Sequence, residues 1–291
     1  MVLGGGGSTG NAWLIGVVAG LFDAGLDVTT ADLTIGTSAG ATAAVQLAGA
    51  SPSELLAAIL ATAPQPQQRA GAAGSARGRA PSRAVADHLE RISSIIAAAA
   101  DAADMRRRLG AAALNLDATS DGSWQAQWRA TVASRLPSQH WPERSVLLTA
   151  VDASTGDPVV FDRTSGVDLA DAVAASCASG LPYRIGDSSY LDGGYRSNAE
   201  NADLAVGYAR VLVLSPFGGR SLQPPEWGMH LATQIDDLRA RGSKVETIFP
   251  DSASEHLFGA NAMDPSMRPA AARAGHDQGG ALADLLTAIW R

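Results

Sequence analysis

Short apolar segments alternate with alanine-rich helical segments along most of this chain of 291 residues. The run Val211–Leu214 is continuously apolar, which is typical of a strand that is buried on both faces of a sheet. Similar segments stand at Val2–Leu3, 32–35 and 146–151. Strands that alternate with helices indicate a largely parallel sheet. The sequence therefore predicts an α/β fold of three layers, in which helices cover both faces of a central, mostly parallel sheet.

Capping and periodicity place further elements between these strands. Ser51, Pro52 and Glu54 form the capping box of one helix. Trp124 and Trp128, four residues apart, mark another helix and are expected to pack in the core or the cap. The other expected elements are helices over about 11–24, 39–50, 83–108 and 282–290, and strands at 159–161 and 245–249.

Between residues 64 and 140 the alternation of strands and helices breaks off. Residues 64–81 are rich in Pro, Gln, Gly and Arg, have no apolar period, and are expected to form a loop. The helix predicted over 83–108 ends on Arg106–Arg108, where positive charge suits the helix dipole. We therefore predict one domain over residues 1–291, with a helical cap inserted at 64–140.

Composition excludes several classes of function. Lys and Arg total 22 against 29 for Asp and Glu, and the net charge of −7 argues against nucleic-acid binding. Cys177 is the single cysteine, which excludes a disulfide framework and a cysteine-rich metal site, and we expect it to be a small buried residue. No basic segment precedes Gly4–Gly7, and the apolar run 12–22 is too short to cross a bilayer. A cytoplasmic protein with at most peripheral membrane contact is expected.

The pentapeptide Gly36-Thr37-Ser38-Ala39-Gly40 matches G-x-S-x-G, the pattern of a nucleophile elbow. A serine nucleophile needs a sharp strand-to-helix turn that exposes its hydroxyl at a helix N-terminus. Gly36 and Gly40 leave room for that turn, an apolar strand precedes it, and an alanine-rich helix follows. Ser38 is therefore a candidate nucleophile, and the alternative is a turn of small residues without a chemical role.

Residues 4–10, Gly-Gly-Gly-Gly-Ser-Thr-Gly, form a glycine loop between the first strand and the first helix. The backbone N–H groups of such a loop can converge on a phosphate or on a developing oxyanion. Gly5, Gly7 and Gly10 also match the dinucleotide-binding fingerprint. That fingerprint requires an acidic residue at the end of the second strand, where this chain has Gly36-Thr37-Ser38. The context favours an oxyanion loop, with a nucleotide-dependent oxidoreductase as the alternative.

The segment Asp192-Gly193-Gly194 puts a carboxylate at the end of a short strand, beside a flexible turn. A serine nucleophile needs a base within hydrogen-bond reach. Asp192 with His256 or His276 would follow the Ser-Asp-His order of α/β-hydrolases, but too few strands precede Ser38 for that fold. A Ser38–Asp192 dyad fits the sequence better. Five histidines are present, none of them at a glycine-punctuated strand end: His88, His140, His230, His256 and His276.

In this order the three motifs resemble those of the patatin-like phospholipases, a family of serine lipid acyl hydrolases. The matching segments are the glycine loop (Gly5-Gly6-Gly7 with Gly10), the elbow around Ser38, Asp192-Gly193-Gly194, the small-residue segment 174–182 and residues 201–205. The match covers most of residues 1–220. The resemblance implies a patatin-like fold and hydrolysis of a lipid ester or phospholipid without metal or cofactor.

The resemblance also implies a role for each residue. Ser38 attacks the acyl carbonyl, while Asp192 accepts its proton and later activates the water that releases the acyl group. Thr9 occupies the position where the family commonly has Arg or Lys, a departure that implies either a different headgroup preference or weaker activity. A non-catalytic member that binds lipid or protein is the further alternative. The oxyanion is held by four backbone N–H groups, those of Gly5, Gly6, Gly7 and Ala39.

Overall fold

The structure, a computed structural model, describes residues 1–61 and 81–290. Within these residues eight strands form one sheet, and nine α-helices lie around it. The strands are β1 (Val2–Leu3), β2 (Leu33–Gly36), β3 (Ser145–Asp152), β4 (Pro158–Phe161), β5 (Tyr183–Ile185), β6 (Ser188–Asp192), β7 (Arg210–Leu214) and β8 (Lys244–Ile248). The helices are α1 (Gly7–Asp23), α2 (Ala39–Gly49), α3 (Pro52–Ala61), α4 (Pro81–Ala98), α5 (Ala102–Asp117), α6 (Ser123–Ala133), α7 (Leu169–Ser176), α8 (Leu231–Ala240) and α9 (Arg268–Trp290).

The sheet is open and mostly parallel. Its strand order is β5-β6-β3-β2-β1-β7-β8, and β4 pairs with β3 outside that path. Strands β3, β2, β1, β7 and β8 run parallel to one another, whereas β4, β5 and β6 pair antiparallel. Helices flank the sheet. The predicted three-layer α/β/α fold with a central, mostly parallel sheet is confirmed.

Strands β2 and β6 follow one another along the same edge of β3. Leu148 pairs with both β2 and β4, and Ala150 pairs with both β6 and β4, so β2 and β6 both lie opposite β4. β2 runs parallel to β3 and β6 runs antiparallel to it. The C-terminal ends of β2 and β6, at Gly36 and Asp192, therefore face each other across Thr149.

The strands predicted from apolar segments are confirmed to within one residue at each end. Residues Val211–Leu214 of β7 are all buried, as expected for a strand inside a parallel sheet. Helix α2 matches the helix expected over 39–50. Trp124 and Trp128 lie on α6 and are partly buried against the main hydrophobic core. Sequence patterns did not predict β5, α7 or α8.

The helix predicted over 83–108 is two helices, α4 and α5, and this prediction was wrong. The break falls before Asp101, whose carboxylate accepts the N–H of Asp104 (2.7 Å). The Asp104 carboxylate in turn accepts the N–H of Ala100 (3.0 Å), so the two acids cap the start of α5 reciprocally. The basic residues Arg106–Arg108 therefore lie near the start of a helix rather than at its end.

Two other helices begin earlier than expected. Helix α1 begins at Gly7 instead of near residue 11, because the glycine loop enters the helix directly after Gly6. Helix α9 begins at Arg268 instead of 282. Its first half has few large apolar residues, so apolar periodicity gave no signal there.

Small residues let α9 pack closely along α1. A Cβ at Gly279 would overlap the backbone carbonyl of Val17, and one at Gly275 would overlap that of Trp13. On α1, Gly16 and Gly20 lie equally close to the backbone of α9. The main chains of the two helices are therefore in direct contact, and this contact holds the start of α9 beside the start of α1.

Helices α4 and α5 cover the C-terminal part of β3 and the strand β6. Their apolar side chains form a cluster with Val151 and Leu191. Helix α6 contacts α7, where the indole N–H of Trp128 donates to Ala174 O (3.1 Å). The loop predicted at 64–81 lies outside the described residues except for Pro81. Of the predicted cap at 64–140, helices α4, α5 and α6 are described. The cluster side chains from α4 and α5 are Ile92, Ile96, Met105 and Leu109.

Helices α2 and α3 are bent by 120° relative to each other. At the start of α3, the N–H of Ser51 donates to the Glu54 carboxylate (3.4 Å), which is one half of the predicted capping box. Among the described residues no single helix has the length and hydropathy needed to cross a membrane. Only α2 and α3 taken as a bent pair meet that requirement, by length and composition alone.

We expect Gly279→Ala to lower the free energy of unfolding by at least about 2 kcal/mol, because the new methyl group forces α1 and α9 apart. Gly280→Ala is the matched control, since the nearest atom to a Cβ there is 4.0 Å away. Both variants gain the higher helix propensity of alanine, about 1 kcal/mol. Urea unfolding measures the difference, and equal stabilities would contradict the direct backbone contact.

Candidate active site

Ser38 forms the turn between β2 and α2 in a backbone conformation that few residues other than glycine adopt. Its φ is 53° and its ψ is −116°. Among the described non-glycine residues only Asn201 shares a positive φ. A turn of this kind holds a side chain clear of the sheet edge, at the N-terminus of the following helix. Ser38 is half-buried, whereas Thr37 and Ala39 on either side are buried.

Gly36 and Gly40 permit this turn because backbone atoms occupy the space that their side chains would need. A Cβ at Gly40 would overlap the carbonyl of Leu3 in β1. A Cβ at Gly36 would lie 2.7 Å from Ala41 Cα. The first turn of α2 is therefore pressed directly against β1 and β2, which gives the physical reason for both glycines of the motif.

Asp192 ends β6 and faces the elbow around Ser38. Its Oδ1 accepts the N–H of Gly194 (2.8 Å). A Cβ at Gly193 would overlap Thr149, so only glycine lets the chain turn this close to β3. The Asp192 carboxylate is buried, and the Ser38 side chain is close enough to lower its pKa. The two residues of the predicted dyad therefore lie next to each other.

Burial raises the pKa of Asp192 from 3.8 to about 6, while the hydrogen bond from the Gly194 N–H and the nearby Ser38 side chain act against this rise. At neutral pH the carboxylate is therefore mostly ionised. A carboxylate with a raised pKa is a better proton acceptor than an exposed one, which suits it to general-base chemistry. Nearby, burial and the charge of Asp192 raise the pKa of Tyr195, whose hydroxyl donates to Ser179 O (2.9 Å).

The glycine loop after β1 lies directly against Ser38. A Cβ at Gly5 would be 3.6 Å from Ser38 Cβ. The N–H of Gly5 donates to Ala199 O (2.8 Å), so it is not free to bind an oxyanion, and the predicted role of Gly5 as an oxyanion donor was wrong. Gly5 instead lets the backbone of the loop lie close to Ser38. The other three predicted N–H donors have no acceptor among residues 1–61 and 81–290: those of Gly6, Gly7 and Ala39.

The free N–H groups of Gly6 and Gly7 stand at the N-terminus of α1. The partial positive charge at a helix N-terminus favours a negative group there. Gly7 has a φ of 65°, and a Cβ on it would lie 2.7 Å from Ala262 O. Thr9 is fully buried in the first turn of α1 and its N–H donates to Ala262 O (3.0 Å). The start of α1 is thus fixed by the segment that precedes α9.

Two small residues at the end of α7 hold the elbow from the other side. Ser176 Oγ accepts the N–H of Ser38 (3.0 Å), and the Cys177 thiol donates to Ser38 O (3.0 Å). Burial raises the pKa of Cys177 to about 12, so the thiol stays protonated and acts as a donor. Neither role is predicted from sequence, where the segment 174–182 stands out only by its small residues.

The side-chain amide of Asn201 links the elbow to the turn after Asp192. Its Nδ2 lies 3.0 Å from both Thr37 Oγ1 and Gly193 O. Thr37 Oγ1 is 2.9 Å from Thr149 Oγ1, so β3 belongs to the same network. Asn201 is fully buried with a φ of 57°, a conformation that Asn tolerates better than most residues. Sequence analysis did not predict this linking role, because nothing local marks Asn201 as a neighbour of the elbow.

None of the histidines, all of which the structure describes, hydrogen-bonds to Ser38 or Asp192. His88 Nε2 lies 3.4 Å from the hydroxyl of Tyr195. His276 contacts Asp23 at the far end of α1. In residues 1–61 and 81–290, no three His, Cys, Asp or Glu side chains are grouped so that they could hold a metal ion.

A cavity of about 550 Å³ lies at the opposite end of the strands. It is lined by the starts of β2 and β7, including Leu33 and Arg210, and by none of the residues of the elbow or the glycine loop. Ligands of open parallel sheets bind at the carboxyl ends of the strands, where Ser38 and Asp192 stand. This cavity is therefore separate from the candidate active site.

We expect Asp192→Asn to raise the free energy of unfolding at pH 7.5 by up to about 3 kcal/mol. The pKa of about 6 in the folded state exceeds the ordinary 3.8, so the folded state binds the proton more tightly. Stability is then lost as the pH rises between about 4 and 6. Asparagine mimics the protonated acid at every pH, so the gain disappears at pH 3.5.

Urea unfolding at pH 7.5 and pH 3.5 measures this difference. Asp187→Asn, at an exposed position in the turn before β6, controls for the loss of one negative charge. An Asp192→Asn protein that is less stable than wild type at pH 7.5 would contradict the cost of burying this carboxylate.

No protein-family model matches the chain, and no curated protein matches its sequence.

Proposed function

We propose that this chain is a serine acyl hydrolase that acts on lipid esters, with Ser38 as nucleophile and Asp192 as general base. One observation carries the proposal: a serine in a strained strand-to-helix turn lies beside a buried carboxylate at the end of the facing strand. The resemblance of the glycine loop, the elbow and the Asp192-Gly193-Gly194 turn to patatin-like phospholipases supports the same assignment. No histidine contacts the pair, which favours a dyad over a triad.

In the first half of the reaction, Asp192 takes the proton from Ser38 Oγ as that oxygen attacks the acyl carbonyl carbon. The tetrahedral intermediate collapses, the bond to the alcohol breaks, and the Asp192 carboxyl returns the proton to the leaving oxygen. In the second half, water attacks the acyl-serine, and Asp192 accepts a proton from it. The bond to Ser38 then breaks, the carboxylic acid leaves, and Asp192 returns its proton to Ser38 Oγ.

The oxyanion of both intermediates is stabilised by backbone N–H groups on either side of Ser38. Gly6 and Gly7 contribute from the N-terminus of α1, and Ala39 contributes from the N-terminus of α2. These donors lie at the starts of α1 and α2, two largely buried helices, so little reorganisation is needed as charge develops. Loss of one such donor typically costs about 2.7–4 kcal/mol of transition-state stabilisation.

Apolar surfaces on two sides of the dyad support a lipid ester as the substrate. Met263 is 64% exposed, and its sulfur would be 2.9 Å from a Cβ at Gly7. On the side of Asp192, the preceding residue Leu191 lines a shallow apolar groove under α4 and α5, together with Ile95 and Leu116. An acyl chain suits such surfaces better than a polar acyl group does.

We expect wild-type protein to gain a single adduct on Ser38 when it is incubated with a fluorophosphonate. Ser38→Ala should gain none, and Asp192→Asn should react at least about 100-fold more slowly, since general-base assistance is lost. Intact mass measures the adduct. The control Ser134→Ala removes an exposed serine on the surface of the protein and should label normally, as should His88→Gln. Labelling of folded Ser38→Ala, or its absence from folded wild type, would contradict the proposal.

The rate of labelling should rise with pH up to about pH 6 and then level off. Asp192 can accept the Ser38 proton only when it is ionised, and its pKa is about 6. Below that value the rate is expected to fall about tenfold per pH unit. Rates of adduct formation between pH 4.5 and 8 test this, and a rate that falls as pH rises through 6 would exclude Asp192 as the base.

A further inference from the structure

Three consecutive residues at the end of α7 contact both residues of the candidate dyad. Ser176 Oγ accepts the N–H of Ser38 (3.0 Å), and the Cys177 thiol donates to Ser38 O (3.0 Å). The carbonyl of the next residue, Ala178, accepts the N–H of Asp192 (2.9 Å). Nucleophile and base stand at the ends of different strands, β2 and β6, but both are therefore bonded to one short segment.

The two bonds to Ser38 hold the peptide groups on either side of its Cα. The N–H belongs to the peptide that joins Thr37 to Ser38, and the carbonyl belongs to the peptide that joins Ser38 to Ala39. Peptide groups are planar, so the freedom left at Ser38 is rotation about φ and ψ. Holding both planes fixes these angles and the direction in which the side chain leaves the backbone. The strained φ of 53° persists only when surrounding contacts fix it.

Helix α7 carries this segment as part of a buried and well-anchored element. All but one of its eight residues are buried, and the exception, Asp171, forms a salt bridge with Arg129 of α6 (2.8 Å). Asp171 also accepts the hydroxyl of Tyr183 in β5 (2.6 Å), and the indole N–H of Trp128 donates to Ala174 O (3.1 Å). A side chain on a packed helix is positioned more precisely than one on a loop.

The hydroxyl of Ser176 is fully buried in a helix that has four alanines among its eight residues. Alanine at this position would have a higher helix propensity and no polar group to withdraw from water. The packing of α7 alone therefore favours alanine. The gain from the hydroxyl lies in its bond to the Ser38 N–H.

We propose that Ser176 and Cys177 are positioning residues for the acyl transfer, and that the end of α7 sets the separation between Ser38 and Asp192. This inference rests on the proposed hydrolase function and adds two residues to its site. Neither residue makes or breaks a bond to the substrate. Both act through the backbone of Ser38, while Ala178 fixes Asp192 from the same segment. In a reacting pair, a misplacement of about 1 Å can lower the rate about 100-fold.

The first test measures the second-order rate of fluorophosphonate labelling for Ser176→Ala. The Ser38 N–H then loses its acceptor, the turn relaxes, and labelling at pH 7.5 should slow at least about tenfold. Ser243→Ala is the matched control, because the Ser243 hydroxyl is also buried and donates to a backbone carbonyl, Tyr208 O (2.7 Å), at the other end of the sheet. This control loses one buried hydrogen bond and should label at the wild-type rate.

The pH profile of labelling separates positioning from a general loss of stability. In wild type the Ser38 side chain lowers the pKa of Asp192 against the effect of burial. If Ser38 turns away in Ser176→Ala, that pKa rises, and the midpoint of the profile shifts above its wild-type value of about 6. A variant that is only less stable keeps the wild-type midpoint.

Cys177 is tested by two variants that differ in one donor. Cys177→Ser keeps a donor to Ser38 O, so it should label close to the wild-type rate. Cys177→Ala has no donor and should label about threefold more slowly, since S–H hydrogen bonds are weak. The loss is smaller than in Ser176→Ala because Ser38 O also accepts the N–H of Ala41 (2.9 Å). Equal rates for the two variants would exclude Cys177 from the positioning role.

The outcomes separate this inference from the function on which it rests. If wild type is labelled, but Ser176→Ala is labelled equally fast and with the same midpoint, the positioning role is overturned. If folded wild type is not labelled, the hydrolase function fails. The pKa of Asp192 then tests the positioning alone, from the difference in free energy of unfolding between each protein and its Asp192→Asn variant between pH 4 and 8. A pKa that rises in Ser176→Ala but not in Ser243→Ala supports it, and an unchanged pKa overturns it.

Discussion

One edge of strand β3, shared end to end by β2 and β6, determines where the rest of the site lies. A parallel strand and an antiparallel strand meet there with their C-terminal ends facing, so the residue that follows each strand points into the same gap. Thr149 of β3 lies in this gap, where it contacts Thr37 after β2 and Gly193 after β6. Only glycine fits at positions 36 and 193. A Cβ at Gly193 would overlap Thr149, and a Cβ at Gly36 would overlap the start of α2.

The same arrangement explains why a buried carboxylate lies close to a place that favours negative charge. Helices α1 and α2 both begin at this end of the sheet, and their N-termini supply donors and partial positive charge. Asp192 lies among apolar and backbone groups, which leave it poorly solvated. A second buried acid, Glu200, lies under the glycine loop, where Ser215 donates to it (2.6 Å) and burial raises its pKa to about 7. Burial of these two ionised carboxylates therefore lowers the free energy of unfolding.

Local sequence signals were sufficient where the structure depends on neighbours along the chain. The elbow, the apolar strands and the Asp192 turn each carry their own pattern of glycines and apolar residues, so fold class and candidate dyad could be predicted. Contacts between distant segments left no such signal. The carbonyl of Ala199 accepts a hydrogen bond from the N–H of Gly5, and Asn201 links Thr37 to Gly193. Both contacts depend on how β6 pairs with β3. The start of α9 was missed for the same reason, since glycine contacts with α1 replace a row of apolar side chains.

The contacts between the first turn of α1 and the segment before α9 have a consequence for biosynthesis. Thr9 bonds to a residue 253 positions later, and Ser8 bonds to one 260 positions later. A ribosome must therefore add every residue up to Arg268 before these partners can meet, and pairings of such long range form slowly. The N–H groups of Gly6 and Gly7 are therefore held in place only after the start of α9 has been made. A chain that stops before Arg268 lacks the contacts that hold the glycine loop beside Ser38.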